Sequence, residues 1–191
     1  MTKGGAAMLL DITLPIAPKF SNESPENLKS ALAGHIGTHF DVMDQTFPLE
    51  YTRRPGIAFD VSGIRDRDIT AADIDLSRVE KGMFVAFYSH YIEEVGYGEK
   101  TYFTHHPQLS HELIEALVEK GVSIIALDFG GIRRAPEHVP KDRWCAERGT
   151  FVVENLLGLE PLTHLAGFTA HTYPMAYTGI TGLPCRVLAE Y

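Results

Sequence analysis

The stretch SHELIEALVEKGVSIIAL, residues 110–127, carries a helix signal that runs directly into a strand signal. Ser110 is a good N-cap, apolar residues follow it at helical spacing, and Gly121 ends the segment. Residues 122–127 are then almost continuously apolar, which is typical of a strand covered on both faces. We therefore expect a helix that packs on a sheet, with residues 122–127 near the centre of that sheet.

Strand and helix patterns alternate along the rest of the chain. Clusters of β-branched and aromatic residues predict strands at residues 11–16, 57–61, 83–88 and 150–153, and capping signals predict helices at residues 70–82 and 141–148. Turn-forming residues predict loops at residues 18–29, 91–108 and 133–141. The second of these loops is rich in aromatic residues, so we expect it to cover a pocket. The alternation predicts an α/β domain with a mixed or parallel sheet.

The composition bounds the classes of protein and partner. The chain has 191 residues, 45% of them hydrophobic, which predicts a single domain over residues 1–191. A net charge of −8 without a basic run argues against nucleic-acid binding, and no apolar stretch reaches the roughly 20 residues of a membrane span. Two cysteines, Cys145 and Cys185, are too few for a disulfide scaffold. We expect a cytoplasmic protein whose partner is a small molecule.

A metal-binding pattern lies in Gly34-His35-Ile36-Gly37-Thr38-His39-Phe40-Asp41. In an extended chain with a period of two, His35, His39 and Asp41 project to one face, and Gly37 leaves a gap between the imidazoles. Two imidazole nitrogens and a carboxylate oxygen are suited to Zn²⁺, or to Mn²⁺ if more oxygens join. The spacing therefore indicates a site for a divalent metal, although ordinary core or surface histidines can also produce it.

Glu154 adds a second acidic element, because it follows directly on the apolar pair Val152-Val153 at the end of a predicted strand. A buried carboxylate costs stability unless a cation compensates it. The cation could be the same metal, or it could be one of four arginines elsewhere in the chain: Arg53, Arg54, Arg133 and Arg134.

Five segments, in this order, resemble one family: Asp11-Ile12-Thr13, His35-x-Gly37-Thr38-His39-x-Asp41, His106-Pro107-Gln108-Leu109-Ser110, Val153-Glu154-Asn155-Leu156 and Gly182-Leu183-Pro184-Cys185-Arg186. They are similar to the motifs of the cyclase-like family of metal-dependent hydrolases, which includes kynurenine formamidase and isatin hydrolase. The resemblance spans nearly the whole chain. It implies a swivelling β/β/α domain with a mixed sheet and flanking helices. It also implies a homodimer or homotetramer with one or two divalent ions, Zn²⁺ or Mn²⁺, in each subunit.

Carried over onto this chain, the resemblance implies a set of metal ligands: His35, His39, Asp41, Asp142 and Glu154. Asp41 is the expected bridge if two metals bind. Asp142 stands where a histidine for the second metal is common in the family, which shifts the expected preference toward a harder ion such as Mn²⁺. The alternative for Asp142 is that it merely begins a surface helix.

Two further positions depart from the family signature. Met43 stands in place of its proline, and Gln45 stands in place of the histidine that transfers protons. Because an amide cannot shuttle a proton near neutral pH, another group must do so if the chain is catalytic. His90, His105 and His106 are the candidates for this role, and each could instead be an ordinary loop histidine. Asp44 is another possible base, or else a solvated turn residue.

The activity that the resemblance implies is hydrolysis of a small amide, cyclic amide or lactone. Within that range, the expected class is an arylformamidase- or cyclase-like enzyme that acts on a carbon–nitrogen bond. A metal-bound water near neutral pKa would attack the carbonyl, without a protein nucleophile. Two alternatives stay open: a metal-dependent lyase or cyclase, and a family member without catalysis that binds a metal or small ligand. Gln45 and Asp142 are the residues that keep the last alternative open.

Overall fold

The computed structural model describes residues 7–17 and 23–191, which form a mixed sheet with helices on its faces. The strands are β1 (Leu9–Asp11), β2 (His39–Asp41), β3 (Arg53–Asp60), β4 (Phe84–Tyr88), β5 (Ile124–Leu127), β6 (Phe151–Glu154), β7 (Phe168–Pro174) and β8 (Gly182–Glu190). Their order is β1-β8-β2-β6-β5-β4-β3-β7, and β7 also pairs with β8, so the sheet closes on itself like a barrel. The predicted α/β fold with a mixed sheet and flanking helices is confirmed.

Strand β5 occupies the interior of the parallel part of the sheet. It pairs in parallel with β4 on one side and with β6 on the other, and all four of its residues are fully buried. Ile124 and Ala126 pack into one apolar core, while Ile125 and Leu127 pack into the core on the opposite face. The central position predicted for residues 122–127 is confirmed, and the two cores explain why the strand lacks polar alternation.

The helices are α1 (Pro25–Leu32), α2 (Tyr91–Val95), α3 (Lys100–His105), α4 (His111–Glu119), α5 (His138–Ala146) and α6 (Glu160–Thr163), with 3₁₀ turns at Leu49–Thr52, Ala71–Asp73 and Leu76–Arg78. Helix α4 begins as predicted, because the Ser110 hydroxyl accepts a hydrogen bond from the backbone N–H of Leu113. Leu113, Ile114 and Leu117 are buried against the sheet. No helix in the described ranges is long and apolar enough to cross a membrane.

Several predicted elements differ from the structure. The helix predicted at residues 70–82 is wrong, because Asp75 accepts a hydrogen bond from the N–H of Ser77 and starts a new turn there. The loop predicted at residues 18–29 is interrupted by α1, while residues 18–22 lie outside the described residues. The loop predicted at 91–108 contains α2 and α3. Strands β7 and β8 were not predicted, although alternate residues of β7 are buried.

Helix α5 begins at His138, which is three residues earlier than the predicted start at residue 141. The loop predicted at residues 133–141 is therefore too long at its C-terminal end. The extra turn matters for the site, because it places His138 on the same helical face as Asp142.

Candidate metal centre

The pairing of β2 with β6 brings the sequence motif to Glu154. The two strands are antiparallel, and His39 lies directly opposite Glu154 in their register. Asp41 lies two residues further along β2, on the same face of the sheet as His39. His35 reaches the same place from the turn before the strand, because its imidazole contacts both His39 and Asp41.

We call His35, His39 and Asp41 the histidine half of the site. Nδ1 of His35 lies 3.0 Å from Nε2 of His39 and 3.0 Å from Oδ1 of Asp41, and Nε2 of His39 lies 3.7 Å from the same oxygen. The ligand atoms of an ion bound at roughly 2.0 to 2.2 Å lie about 2.8 to 3.6 Å apart. Two of the three separations fall within this range, and the third, 3.7 Å between His39 and Asp41, lies just above it, so a small shift would let all three atoms bind one ion.

Hydrogen bonds behind the imidazoles orient their nitrogens. Nδ1 of His39 lies 2.8 Å from the carbonyl oxygen of Gly37, and Nε2 of His35 lies 2.8 Å from Oγ1 of Thr181. A ring nitrogen that donates a proton to such a partner leaves the other nitrogen as a free electron pair. The hydrogen bonds thus favour the tautomers in which both free nitrogens face Asp41.

The structure requires glycine at position 37 for a different reason from the one predicted. Its backbone adopts φ +69°, and a Cβ placed on it would lie 2.7 Å from Cγ1 of Ile16. Glycine is therefore required by a left-handed turn and by a close approach to Ile16, and not by a gap between the imidazoles. The turn directs the Gly37 carbonyl toward His39.

We call Asp41, His138, Asp142 and Glu154 the acidic half of the site. Nε2 of His138 lies 3.0 Å from Oδ2 of Asp142 and 2.9 Å from Oε1 of Glu154. It lies 3.8 Å from Oδ2 of Asp41. Asp41 therefore faces both halves, one oxygen toward each, as expected of a bridging ligand.

Sequence analysis predicted Asp142 but missed His138. Asp142 is not an exposed residue at the start of a surface helix, because its side chain is fully buried. His138 lies four residues before Asp142, so the two side chains share a face of α5. That i, i+4 spacing was the available signal for His138, and it was hidden by the late start predicted for the helix.

Buried oxygen atoms without donors indicate that the site is built for a cation. Asp41 and Asp142 are 1% and 0% exposed, yet neither oxygen of either carboxylate accepts a hydrogen bond of good geometry from the described residues. Glu154 is 3% exposed, and its ion-pair partners among the described residues are His39 and His138, not an arginine. Three buried carboxylates whose partners are imidazoles would carry uncompensated negative charge while those imidazoles are neutral, so the donor set fits a bound divalent ion.

The same crowding of negative charge shifts the pKa values of the side chains in the site. Burial alone would lower the pKa of His39, but the carboxylates of Asp41 and Glu154 outweigh burial and raise this pKa to about 9. Burial likewise opposes protonation of His138, yet the surrounding carboxylates raise its pKa. Burial, reinforced by the neighbouring carboxylates, raises the pKa of Asp142 to about 8. The cluster therefore attracts positive charge, from protons when no metal is bound.

A cavity of about 460 Å³ opens onto both halves of the site. Its wall combines the ligands with the apolar side chains of Met43, Phe103 and Val139, and Lys29 supplies a cation from α1. Phe103 is the residue of the aromatic segment at 91–108 that lines this cavity, so the segment contributes to the cavity wall, and its covering a pocket stays a prediction. The cavity can therefore hold a small molecule against the ligand cluster.

Tyrosines of the aromatic segment also take part in hydrogen bonds that hold the turn before the histidine ligand His39. The backbone N–H of Gly37 donates to the Tyr97 hydroxyl, and the Tyr102 hydroxyl donates to Oδ1 of Asn155. Asn155 in turn donates from Nδ2 to the carbonyl oxygen of Gly37, which also contacts His39. Asn155 itself has φ 59°, a left-handed conformation that asparagine tolerates better than most residues. These contacts fix the turn that carries the histidine motif.

Gln45, at the position of the family's proton-transferring histidine, and the two histidines His90 and His106 all lie outside the cavity wall. Gln45 is exposed and lines a separate groove with Phe47 and Tyr177. His90 is exposed and its Nδ1 contacts the Tyr88 hydroxyl at 2.9 Å. His106 is buried, with Nδ1 2.7 Å from the Pro107 carbonyl oxygen. The structure thus brings together all five predicted metal ligands, but not these three side chains.

Comparisons with known proteins agree with the fold. The family model described as "Putative cyclase" matches residues 10–132. No curated protein sequence is significantly similar to the chain. A solved structure described as a potential metal-dependent hydrolase with cyclase activity is 23% identical, with a TM-score of 0.74, and the match covers 97% of this chain and 98% of that one.

Isatin hydrolases have a similar structure. Isatin hydrolase A from Ralstonia solanacearum is 18% identical with a TM-score of 0.74, and the match covers 96% of this chain and 92% of that one. Isatin hydrolase A from Labrenzia aggregata is 17% identical with a TM-score of 0.70, covering 96% and 93%. At these identities the likeness shows a common fold.

Proposed function

This chain belongs to the Cyclase family, and on that premise we propose that it is a metal-dependent hydrolase of a small amide, cyclic amide or lactone. One observation carries the proposal: the carboxylates of Asp41 and Asp142 are buried without hydrogen-bond donors of good geometry among the described residues, and Asp41 lines a cavity. Three imidazoles surround these carboxylates with their nitrogens turned toward them.

His35, His39, Asp41, His138, Asp142 and Glu154 would hold the metal. A divalent ion supplies two things there: a lowered pKa for a bound water and polarisation of a substrate carbonyl. The protein contributes the alignment of the imidazoles, which the Gly37 carbonyl and Thr181 hydroxyl maintain. It also gives the cavity an apolar side, formed by Phe103 and Val139, against which an apolar part of a substrate could pack.

The carboxylates of the acidic half are the groups placed to accept the proton of an attacking water. When no ion is bound, burial and the neighbouring carboxylates raise the pKa of both Asp142 and Glu154, so a bound ion would take the place of a proton there. Asp41 and Glu154 line the cavity, whereas Gln45, His90 and His106 lie outside its wall, so we assign this role to Asp41 and Glu154. Lys29 lies where it would attract a substrate with an anionic group.

A nucleophilic cysteine is not supported. Cys145 and Cys185 are both buried, and burial raises the pKa of each thiol. A thiol that stays protonated is a poor nucleophile. Direct attack by water on the substrate carbonyl is therefore the proposed route.

The experiment that tests the proposal combines metal analysis with a hydrolysis panel. Protein purified without chelators should contain a divalent metal, should cleave at least one amide or lactone, and should lose that activity on chelation. Reaction in ¹⁸O-labelled water should place the label in the carboxylate product, which separates hydrolysis from the lyase and cyclase reactions. Metal without turnover on any substrate would favour a binding function, and protein that takes up no added metal would overturn the proposal.

A pair of histidine variants checks the assignment of ligands. His39→Ala should remove metal and activity together, because His39 is 2% exposed and lies between Asp41 and Glu154. The matched control is His171→Ala, since His171 lies on β7 and pairs with Glu190 away from the cavity. Full metal content in His39→Ala would show that the ligands are wrongly assigned.

We also propose that the protein is a homodimer or homotetramer. Apolar side chains stand exposed beside the groove that contains Gln45, among them Leu49, Met175 and Tyr177. Exposed apolar clusters of this kind often mark contacts between subunits. Light scattering coupled to size-exclusion chromatography would determine the mass, and a monomer at micromolar concentration would contradict this part of the proposal.

A further inference from the structure

Met43 supplies a large apolar side chain to the buried part of the cavity wall. It is 3% exposed, whereas the other large apolar side chains of that wall, Phe103 and Val139, are 48% and 55% exposed and lie toward the solvent. The other buried residues that the structure describes in the wall are His39, Asp41, Gly130, Glu154 and Asn155. A group held against the ligand cluster therefore has Met43 as its apolar neighbour.

The backbone of Met43 has an unfavourable conformation. Met43 and Asp44 have φ of 48° and 68°, and the N–H of Gln45 donates to the Val42 carbonyl oxygen at 2.8 Å, which closes a four-residue turn. Turns with two left-handed central residues are normally built from glycine and asparagine, and a long side chain there costs energy. Turn preference therefore does not explain this methionine, and such backbone outliers are common where a side chain has a functional role.

Neighbouring segments hold this turn in place. The Thr181 carbonyl oxygen accepts a hydrogen bond from the N–H of Met43 at 3.1 Å, and Nη1 of Arg143 on α5 donates to the Met43 carbonyl oxygen at 3.3 Å. The Met43 side chain belongs to the same apolar core as Phe40 and Val153. The thioether is therefore held through its backbone and by the core, so it forms a firm part of the wall.

We propose that Met43 determines specificity by selecting amides or lactones whose carbonyl carbon carries an apolar group of limited size. This inference rests on the proposed function, because it assumes that the ligand cluster holds the reacting carbonyl. The group attached to that carbonyl then packs against Met43. A charged group on this side would lose its water without gaining a partner, since a thioether is only a weak acceptor. A bulky group would collide with a side chain that is held in place.

The test uses metal-loaded protein and the straight-chain carboxylates from formate to hexanoate, which are the hydrolysis products of acyl groups of increasing length. Isothermal titration calorimetry measures their affinities and needs no turnover. Each methylene that packs against Met43 should strengthen binding about three- to fourfold, until the chain exceeds the available space. Met43→Ala should bind formate as the parent does. Because it opens space for longer chains, its ratio of hexanoate to propionate affinity should rise about 10-fold.

Two further variants complete the test. Met83→Ala is the matched control, because Met83 lines a separate groove with Pro55 and Phe168, and it should keep the affinities of the parent. Met43→Gln keeps the length of the side chain and decides the question if Met43→Ala folds poorly, as checked by circular dichroism. It should bind formate normally and lose the gain for each methylene, because its amide would lose water to an apolar chain.

The parent protein alone can already contradict the inference, since equal affinities for formate and butyrate, or no binding of either, would overturn it. An unchanged dependence on chain length in a folded Met43 variant would do the same, and it would leave the hydrolase intact if amides or lactones are cleaved. A dependence on Met43 in a protein that cleaves no amide or lactone would contradict the hydrolase and support the selection of an apolar group. Protein that takes up no metal would contradict both.

Discussion

The buried imidazole of His106 should make the stability of this protein depend on pH. His106 is 1% exposed and stacks on Phe129, with ring centroids 5.9 Å apart. Burial lowers the pKa of His106 from 6.5 to about 4, so the folded protein holds this ring neutral. The hydrogen-bonding contact of Nδ1 with the Pro107 carbonyl opposes the shift but does not outweigh burial. We therefore predict that the unfolded chain binds a proton at His106 before the folded chain does.

The direction and size of the effect follow from the two pKa values. Since the folded pKa lies below the unfolded one, the stabilisation is present above pH 6.5 and is lost as the pH falls toward 4. The full shift corresponds to about 3.4 kcal/mol, at 1.36 kcal/mol for each unit of pKa. Between pH 8 and pH 5 the expected loss is about 2 kcal/mol, because at pH 5 the folded ring is still mostly neutral.

The assay compares urea unfolding of the parent protein with that of His106→Gln at pH 8 and at pH 5. Glutamine does not titrate, so the difference in unfolding free energy between the two proteins should change by about 2 kcal/mol over this range. His105→Gln is the matched control, because His105 is an exposed neighbour on α3. If the parent and His106→Gln changed equally with pH, the reasoning from burial would be refuted.

Three further substitutions test the support of the site and the core. Gly37→Ala should lower the free energy of unfolding by about 1 to 3 kcal/mol and weaken metal uptake. The reason is that φ +69° disfavours alanine and that the new Cβ would lie 2.7 Å from Ile16. Thermal melting measures the first effect, and metal titration measures the second. Tyr102→Phe should cost about 1 to 3 kcal/mol in urea unfolding, because it leaves Oδ1 of Asn155 without its buried donor. Leu117→Ala should cost about 2 to 5 kcal/mol in the same assay and leave metal content unchanged, because Leu117 is fully buried in the core beneath α4.

Each of these changes has a matched control on an open surface. Gly63→Ala places a Cβ with nothing within 4 Å, Tyr191→Phe alters an exposed tyrosine, and Leu32→Ala truncates a side chain that is 73% exposed. Each control should change stability by less than about 0.5 kcal/mol. If one of the three variants changed stability as little as its control, the contact assigned to that residue would not contribute to the free energy of unfolding.

The elements that sequence analysis predicted best are those with local signals. The N-cap at Ser110 and the apolar run of residues 122–127 predicted α4 and β5, because capping and burial on two faces depend on adjacent residues. The metal motif was found for the same reason, since the spacing of His35, His39 and Asp41 lies within one short segment. Within residues 70–82 there are two capping signals. The second, at Asp75, starts a new turn and so interrupts the helix that the first predicts.

Other features depended on contacts between distant segments. The pairing of β7 with β8 closes the sheet, and no local pattern predicts which strands will meet. His138 joined the site only because α5 begins one turn earlier than predicted and packs against β6. Gln45 follows the motif by four residues, yet left-handed backbone at Met43 and Asp44 turns the chain toward a different groove.

The amino-acid sequence by itself determined which donor atoms this protein can offer to a metal, because donor chemistry belongs to side chains and short-range spacing belongs to the local backbone. Only the tertiary structure decided that His39 lies opposite Glu154 and that His138 and Asp142 face them from α5. The physical reason is that strand register and helix packing are set by burial over the whole sheet. The energies that set them are shared among residues far apart in the chain.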